Sequence, residues 1–269
     1  WSLHTSGWWS DESAFSISGH VEEVGKAWNQ TALIDTDIDF ITDVAVSTNG
    51  DGDDLCSPSC QCIYIATINL DESRKVCDCD SIWRSCDGGS TWLRIWHKEL
   101  QGSVWQRDDS CDWPYDGYEW MELGLVPGEE ESEVIYMADL GTETIWMAED
   151  TGACCPAGLG CWTDRNTGLD HIADFAVLDA STLYVADFNG DMVKSTTMGR
   201  HWSSTEDTKV DDDADENAHD IICWGDWVFV GGDTGTVSWS DDGGDSFAVF
   251  DDIGDGQVPL GFDSYFDDN

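Results

Sequence analysis

The chain has 269 residues with 56 Asp and Glu against 11 Lys and Arg, for a formal net charge of −45. That length suffices for one domain with a sizeable core. The acidic excess excludes nucleic acid as a partner, because phosphate contacts need Lys and Arg to displace counterions; with no run of eighteen apolar residues, no stretch has the length of a spanning helix. The charge itself has three readings: hydrated acidic turns, adaptation to a saline medium, or divalent-cation binding.

In chain order, the sequence starts at Trp1 without a visible signal peptide, which reads as a mature form or a piece of something longer. Asn29 lies in the one Asn-x-Thr sequon and is a glycan-acceptor candidate. Phe40–Ser47 alternates into a strand through Phe40, Ile41, Val44 and Val46. The turn that follows, Asn49 to Asp54, is dense in oxygen ligands. Asp51, Asp53 and Asp54 are candidate Ca²⁺ ligands, with a solvated Asn-Gly/Asp-Gly turn as the plainer reading, since the bidentate Glu of an EF-hand is missing. No other cofactor is called for.

Eleven cysteines point to an oxidising compartment. The disulfide candidates are Cys56, Cys60, Cys62, Cys77, Cys79, Cys86, Cys111, Cys154, Cys155 and Cys161, with Cys223 standing alone. Cys62 and either Cys77 or Cys79 flank the strand Ile63–Leu70, so a bridge across that hairpin is sterically reasonable. The competing reading is a thiolate cluster for Zn²⁺, from Cys56-x3-Cys60-x-Cys62 and Cys77-x-Cys79. Those spacings are tighter than a zinc ribbon uses.

The stretch Ser85-Cys86-Asp87-Gly88-Gly89-Ser90-Thr91-Trp92 fits Ser-x-Asp-x-Gly-x-Thr-Trp. Asp87 can accept backbone N–H groups of its own turn, and Gly89 permits the positive φ that a tight reversal needs. The pattern recurs. Ser240, Asp242 and Gly244 repeat it with Phe247 in place of Trp; Ser195, Gly199 and Trp202 repeat it with Thr197 where Asp is expected; and Asp150 with Gly152 keeps only the acid and the glycine. A β-branched, aromatic run precedes each copy (Ile63–Thr67, Val134–Asp139, Leu183–Asp187, Val228–Asp233), followed by a turn and a short strand.

Between them, residues 100–130 interrupt the repeat. Trp105, Trp113, Tyr115, Tyr118 and Trp120 are either a sugar-stacking platform or a hydrophobic plug under an irregular unit. Glu129–Glu131 and Asp211–Asp215 read as exposed acidic turns. At the ends, residues 6–16 resemble a shortened copy entered midway through a unit, and Val258–Phe266 resembles an opening strand with nothing after it. Joined, the two ends make one complete unit.

These residues resemble the Asp-box (BNR) hairpin that recurs in sialidases, sortilin-type receptors, some glycoside hydrolases and bacterial surface-layer or extracellular propellers. The resemblance implies an all-β propeller over residues 1–269: about five four-stranded blades (six or seven if the insertion carries strands), its ring closed by N- and C-terminal strands. In that family the box residues serve folding. The implied role is structural or adhesive assembly outside the cell, through self-assembly or with other surface proteins, with glycans as a further ligand class. A glycoside hydrolase acting on a neutral polysaccharide is the alternative, needing two suitably separated carboxylates. A sialidase-type site is disfavoured, since the six arginines (Arg74, Arg84, Arg94, Arg107, Arg165, Arg200) show no matching motif and the net charge repels anionic sugars.

Overall fold

A computed structural model describes residues 40–47, 62–68, 81–87, 89, 91–97, 121–125, 133–140, 142–150, 162–210, 217–250, 254 and 256–262. Every regular element among them is a strand: β1 Phe40–Val46, β2 Ile63–Ile68, β3 Ser81–Ser85, β4 Leu93–His97, β5 Met121–Leu125, β6 Glu133–Asp139, β7 Thr144–Asp150, β8 Thr163–Asn166, β9 Ile172–Val177, β10 Leu183–Asp187, β11 Asp191–Ser195, β12 Glu206–Asp207, β13 Ala218–Trp224, β14 Trp227–Gly232, β15 Val237–Ser240 and β16 Ala248–Val249. They form four antiparallel sheets, each a four-strand meander in chain order. The chain divides into two compact units. The first takes Trp1–Tyr118 and Thr151–Cys161, the second Glu119–Asp150 and Trp162–Asn269.

The first unit holds β1 to β4. Tyr64 to Ile68 and Ser81 to Ser85 are buried along their whole length, so both faces of this hairpin are covered. The polar members are satisfied internally: Trp83 Nε1 donates to Thr67 Oγ1 at 3.1 Å, and Thr67 Oγ1 donates to the Ser81 carbonyl at 3.1 Å. The register Ile63↔Ser85 carries on past the strand ends, and Cys62 is bonded to Cys86. The partner of Cys62 is therefore Cys86, not Cys77 or Cys79, because antiparallel pairing puts position 86 across from position 62. Cys56, Cys60, Cys77, Cys79, Cys111, Cys154, Cys155 and Cys161 lie outside the described residues.

The second unit holds three sheets stacked through two apolar layers. Val134, Tyr136, Ala138, Ile145 and Met147 of the β5–β8 sheet meet Ile172, Phe175, Leu183, Val185 and Val193 of the β9–β12 sheet. From the opposite face of that second sheet, Ala173, Ala176, Tyr184, Ala186 and Met192 meet Ala218, Ile221, Val228, Val230 and Phe247. Alternate residues of β10 thus point into different layers, as the two-residue period of a strand requires. With both faces buried, Leu183 to Ala186 is continuously apolar. Burying each large side chain here contributes about 1.5–3 kcal/mol.

Two boundaries differ from those expected. Met121–Leu125 falls inside the 100–130 insertion yet is the first strand of a sheet, since Met121 and Leu123 are buried on one side of it. Asp150 is the last residue of β7, paired with Glu133; the turn that follows it lies outside the described residues.

The stretch from Val258 to Phe262 is extended against the β13–β16 sheet rather than paired as a strand. Val258 N donates to the Gly232 carbonyl at 3.0 Å, and its own carbonyl sits directly over Gly231. No Cβ fits at Gly231. Gly231→Ala should loosen this segment, at roughly 1–3 kcal/mol of overpacking, and expose Leu260 and Phe262 to chymotrypsin; unchanged cleavage would mean the segment is not held there.

Candidate functional site

The three recurring turns share one construction. The serine hydroxyl accepts the N–H of the glycine four residues on: Gly89 to Ser85 at 2.8 Å, Gly199 to Ser195 at 2.9 Å and Gly244 to Ser240 at 2.9 Å. The acid then closes the far side. Asp87 accepts Thr91 N and Oγ1 at 2.8 and 2.6 Å, and Asp242 accepts Ser246 N and Oγ at 3.0 and 2.6 Å. In the middle copy Thr197 Oγ1 accepts His201 N at 2.9 Å, so the hydroxyl does the acid's work. The glycines take the left-handed conformation, and Met198 is forced into it at φ 57°.

Hydroxyls of Ser246 and Ser240, with the neighbouring amides, hold the Asp242 carboxyl down at about 2. Its contribution to stability is therefore complete above the ordinary value of 3.8 and fades as pH falls toward 2. These carboxylates face their own turns and are spent on folding. Ser240→Ala should destabilise by about 1–3 kcal/mol, the magnitude of a buried, unsatisfied N–H, read by urea unfolding. An unchanged midpoint would show that Gly244 N finds another acceptor.

Cations join neighbouring sheets at these same turns. Arg165 Nε of β8 donates to the Met198 carbonyl at 3.1 Å, and Lys194 Nζ of β11 donates to the Gly243 carbonyl at 2.9 Å. Met198 and Gly243 are the same position of the motif. Lys194 also lies over the Tyr184 ring, 5.3 Å from its centroid.

Sequence reading passed over a further regularity, an acid at one register position of every first strand. Asp43, Glu122, Asp174 and Asp220 each precede by two residues the partner of an aromatic on the second strand: Ala45↔Tyr64, Gly124↔Tyr136, Ala176↔Tyr184 and Ile222↔Phe229. In the second unit the acid reaches the next strand over. Asp174 Oδ2 accepts Ile221 N at 2.6 Å, and Asp220 Oδ2 accepts Leu260 N at 2.6 Å. Val258–Phe262 thereby stands toward β13 as β13 stands toward β9. Burial, then the Glu122 charge and hydrogen bonds from Glu122 and Asp220, push the Asp174 carboxyl well above the ordinary carboxylate range. With Asp174 buried and its oxygens on the amides of Phe175 and Ile221, this carboxyl joins two sheets.

The exposed chemistry of the second unit lies on the β13–β16 sheet. Tyr136 and Tyr184 are enclosed by the following sheet, whereas Phe229 at the same register is only half-buried. Around it Trp227, Trp239, Phe250, Phe262 and Trp224 form a continuous aromatic surface, with ring centroids 5.6–6.5 Å apart. Trp224 is 45% exposed, Trp227 37% and Phe250 45%. Cys223 is a free thiol whose burial pushes it up to about 12, which makes it a poor nucleophile.

Asn29, Asp51, Asp53, Asp54, Gly152 and the aromatics Trp105, Trp113, Tyr115, Tyr118 and Trp120 fall outside the described residues. Among the described residues, no group of three or more His, Cys, Asp or Glu is placed to hold a metal, and no helix is long and apolar enough to cross a membrane.

No family model matches the sequence, and no curated protein matches it. Solved structures similar to the chain include YCF48 bound to D1 peptide, at 13% identity and TM-score 0.45 over 71% of this chain. They also include YCF48 from Cyanidioschyzon merolae, at 14% identity and TM-score 0.33 over 72% of this chain and 70% of that one. A third is the Niastella koreensis GH74 enzyme, at 13% identity and TM-score 0.34 over 80% of this chain and 44% of that one. The chain spans about half (51%) of the first YCF48 chain.

Proposed function

We propose that this protein is a non-enzymatic, extracellular β-propeller of the Asp-box type that serves as a structural or assembly module at a cell surface. The observation that carries this reading is the commitment of the repeats' carboxylates to structure: Asp87 and Asp242 accept amides and hydroxyls of their own turns, and Asp174 and Asp220 accept amides of the neighbouring strand.

The propeller is supported by meander sheets stacked face to face and by the repeated acid-to-amide link between first strands. About five blades remains our reading, with the ring closed by strands from both ends. Val258–Phe262 supports it by taking a first strand's place. The Cys62–Cys86 bond suits an oxidising compartment. We keep glycan binding as the second reading, because exposed tryptophans also stack on sugar faces.

The test is particle size and shape at native salt, with and without chelator, beside hydrolysis assays on neutral polysaccharides. Assembly into rings, chains or sheets is expected, with no hydrolysis. Chelator sensitivity that Asp51→Asn with Asp53→Asn abolishes would assign Ca²⁺ to the Asp51–Asp54 turn. Monomers that cleave polysaccharide would replace this reading with a hydrolase.

A further inference from the structure

Glu122, Asp174 and Asp220 lie on the first strands of three successive sheets, and hydrogen bonds link Asp174 to both of the others. One carboxyl bonds another only through a proton, so this row is held together by protons that it keeps. Its far end is a backbone amide. Asp220 Oδ2 accepts Leu260 N at 2.6 Å, and Val258 N on the Gly232 carbonyl at 3.0 Å is a second tie of the same segment. Val258, Leu260 and Phe262 are half-buried, while Pro259 and Gly261 between them are exposed.

Burial falls off along the row. Asp174 is 5% exposed, and the amide it accepts belongs to Ile221, 2% exposed and paired with Val230 in the ladder of β13. Asp220 and Leu260 are only half-buried. Repulsion placed on the row is therefore relieved at this outer end, where the least structure has to open. We propose that the row is a pH-operated latch: with its protons it holds Val258–Phe262 against β13, and on losing one it lets that segment lift while β13 stays in its sheet. Taking the proton from Asp174 breaks its bond to Asp220 and leaves adjacent carboxylates of like charge. Asp220 relieves them by turning from Asp174 and giving up Leu260 N.

Burial, then the Glu122 charge, hold the Asp174 carboxyl well above its ordinary 3.8. A value raised in the closed state means that closure is complete at low pH and weakens as pH rises through that value. Glu122 faces Asp174 from β5 and Asp220 faces it from β13. On β10 its partner is the uncharged Ala186, and Asp187 beyond accepts the amides of Asn189 and Asp191. His219, half-buried at the bulge before Asp220, is a further titratable group beside the row.

What the latch does to assembly rests on the reading above; whether it opens does not. Hydrogen exchange on the intact chain, followed by NMR from about pH 4 to 8 and referenced to an unstructured peptide of residues 256–264, tests the opening. Leu260 and Val258 should lose protection as pH rises, by at most about tenfold per pH unit for one proton, and by more than tenfold in all. Ile221 and Tyr184, which exchange only when β13 and β10 come apart, should stay better protected throughout. Asp174→Asn has no proton to lose and should keep Leu260 at its low-pH protection across the range. Should that variant fail to fold, Glu122→Gln removes the charge that raises Asp174 and should move the loss to lower pH. His219→Gln should keep the wild-type profile.

Protection at Leu260 that does not change with pH would overturn the proposal. So would protection no lower than that of Ile221 and Tyr184, which would make the opening global. A wild-type profile in Asp174→Asn, an unmoved one in Glu122→Gln or a flat one in His219→Gln would do the same. If Leu260 is released as expected while particle size is the same at both ends of the pH range, the latch stands and its link to assembly falls.

Discussion

Asp174→Ala should be among the most damaging substitutions in the second unit, with a loss of about 3 kcal/mol or more. Three effects add. The Ile221 amide loses the acceptor 2.6 Å away and is left buried, which alone costs about 1–3 kcal/mol. A small cavity opens in a residue that is 5% exposed. Glu122 and Asp220, both hydrogen-bonded to Asp174, lose the group between them. Asp174→Asn removes the titration while its amide oxygen still accepts Ile221 N and its NH₂ donates toward the carboxylates, at the cost of the acceptor for Phe175 N.

Burial and the Glu122 charge raise the Asp174 value in the folded chain, so the native state binds more protons than the unfolded one at any pH between the two values. Its stabilising contribution is complete below the unfolded value near 3.8 and is lost as pH rises through the folded value. Unfolding free energy should therefore fall as the pH climbs above about 4, the reverse of what Asp242 does at lower pH. Asp174→Asn should flatten that fall. Parallel pH profiles for the wild type and Asp174→Asn would show that this carboxyl is ionised in the fold.

What could be read without coordinates follows from which signals are local. Strands and turns were visible because the glycines, serines and acids of Ser85–Trp92 and Ser240–Phe247 act on their own neighbours within eight residues. Thr197 looked like a defect only because the residue type was read instead of the atom: any side-chain oxygen at that reach accepts His201 N. The inter-sheet links were invisible for the opposite reason. Asp174 and Ile221 are 47 positions apart, and in a chain with 56 acids no single one announces that it is buried. Aligning Asp43-Val44, Glu122-Leu123, Asp174-Phe175 and Asp220-Ile221 ahead of their apolar runs was the signal available. The aromatic surface was missed similarly. Trp227 and Phe229 alternate along β14 as core residues do, and only the solvent on their outer side distinguishes them from Tyr136 and Tyr184.

Removing the Cys62–Cys86 bond with a Cys62→Ala/Cys86→Ala pair should destabilise the first unit by about 3 kcal/mol, the chain-entropy value for a loop of this size; the two cysteines are 24 positions apart. The placement argues for the full effect. Cys86 follows the serine whose hydroxyl caps Gly89, and Cys62 exchanges two hydrogen bonds with Ser47, each at 2.9 Å. One covalent link thus ties the end of β1, the start of β2 and the entry to the first turn. Without it β2 and β3 keep their ladder but can fray from that end. Hydrogen exchange on the intact chain is the appropriate measurement, because it reports on this unit separately. Amides from Ile63 to Ala66 should lose protection while those of β10 in the second unit, such as Tyr184 and Val185, hold theirs. If protection at Ile63–Ala66 were unchanged, the bond would not restrain that end of the hairpin, and a partner for Cys62 among Cys77 and Cys79 would again have to be considered.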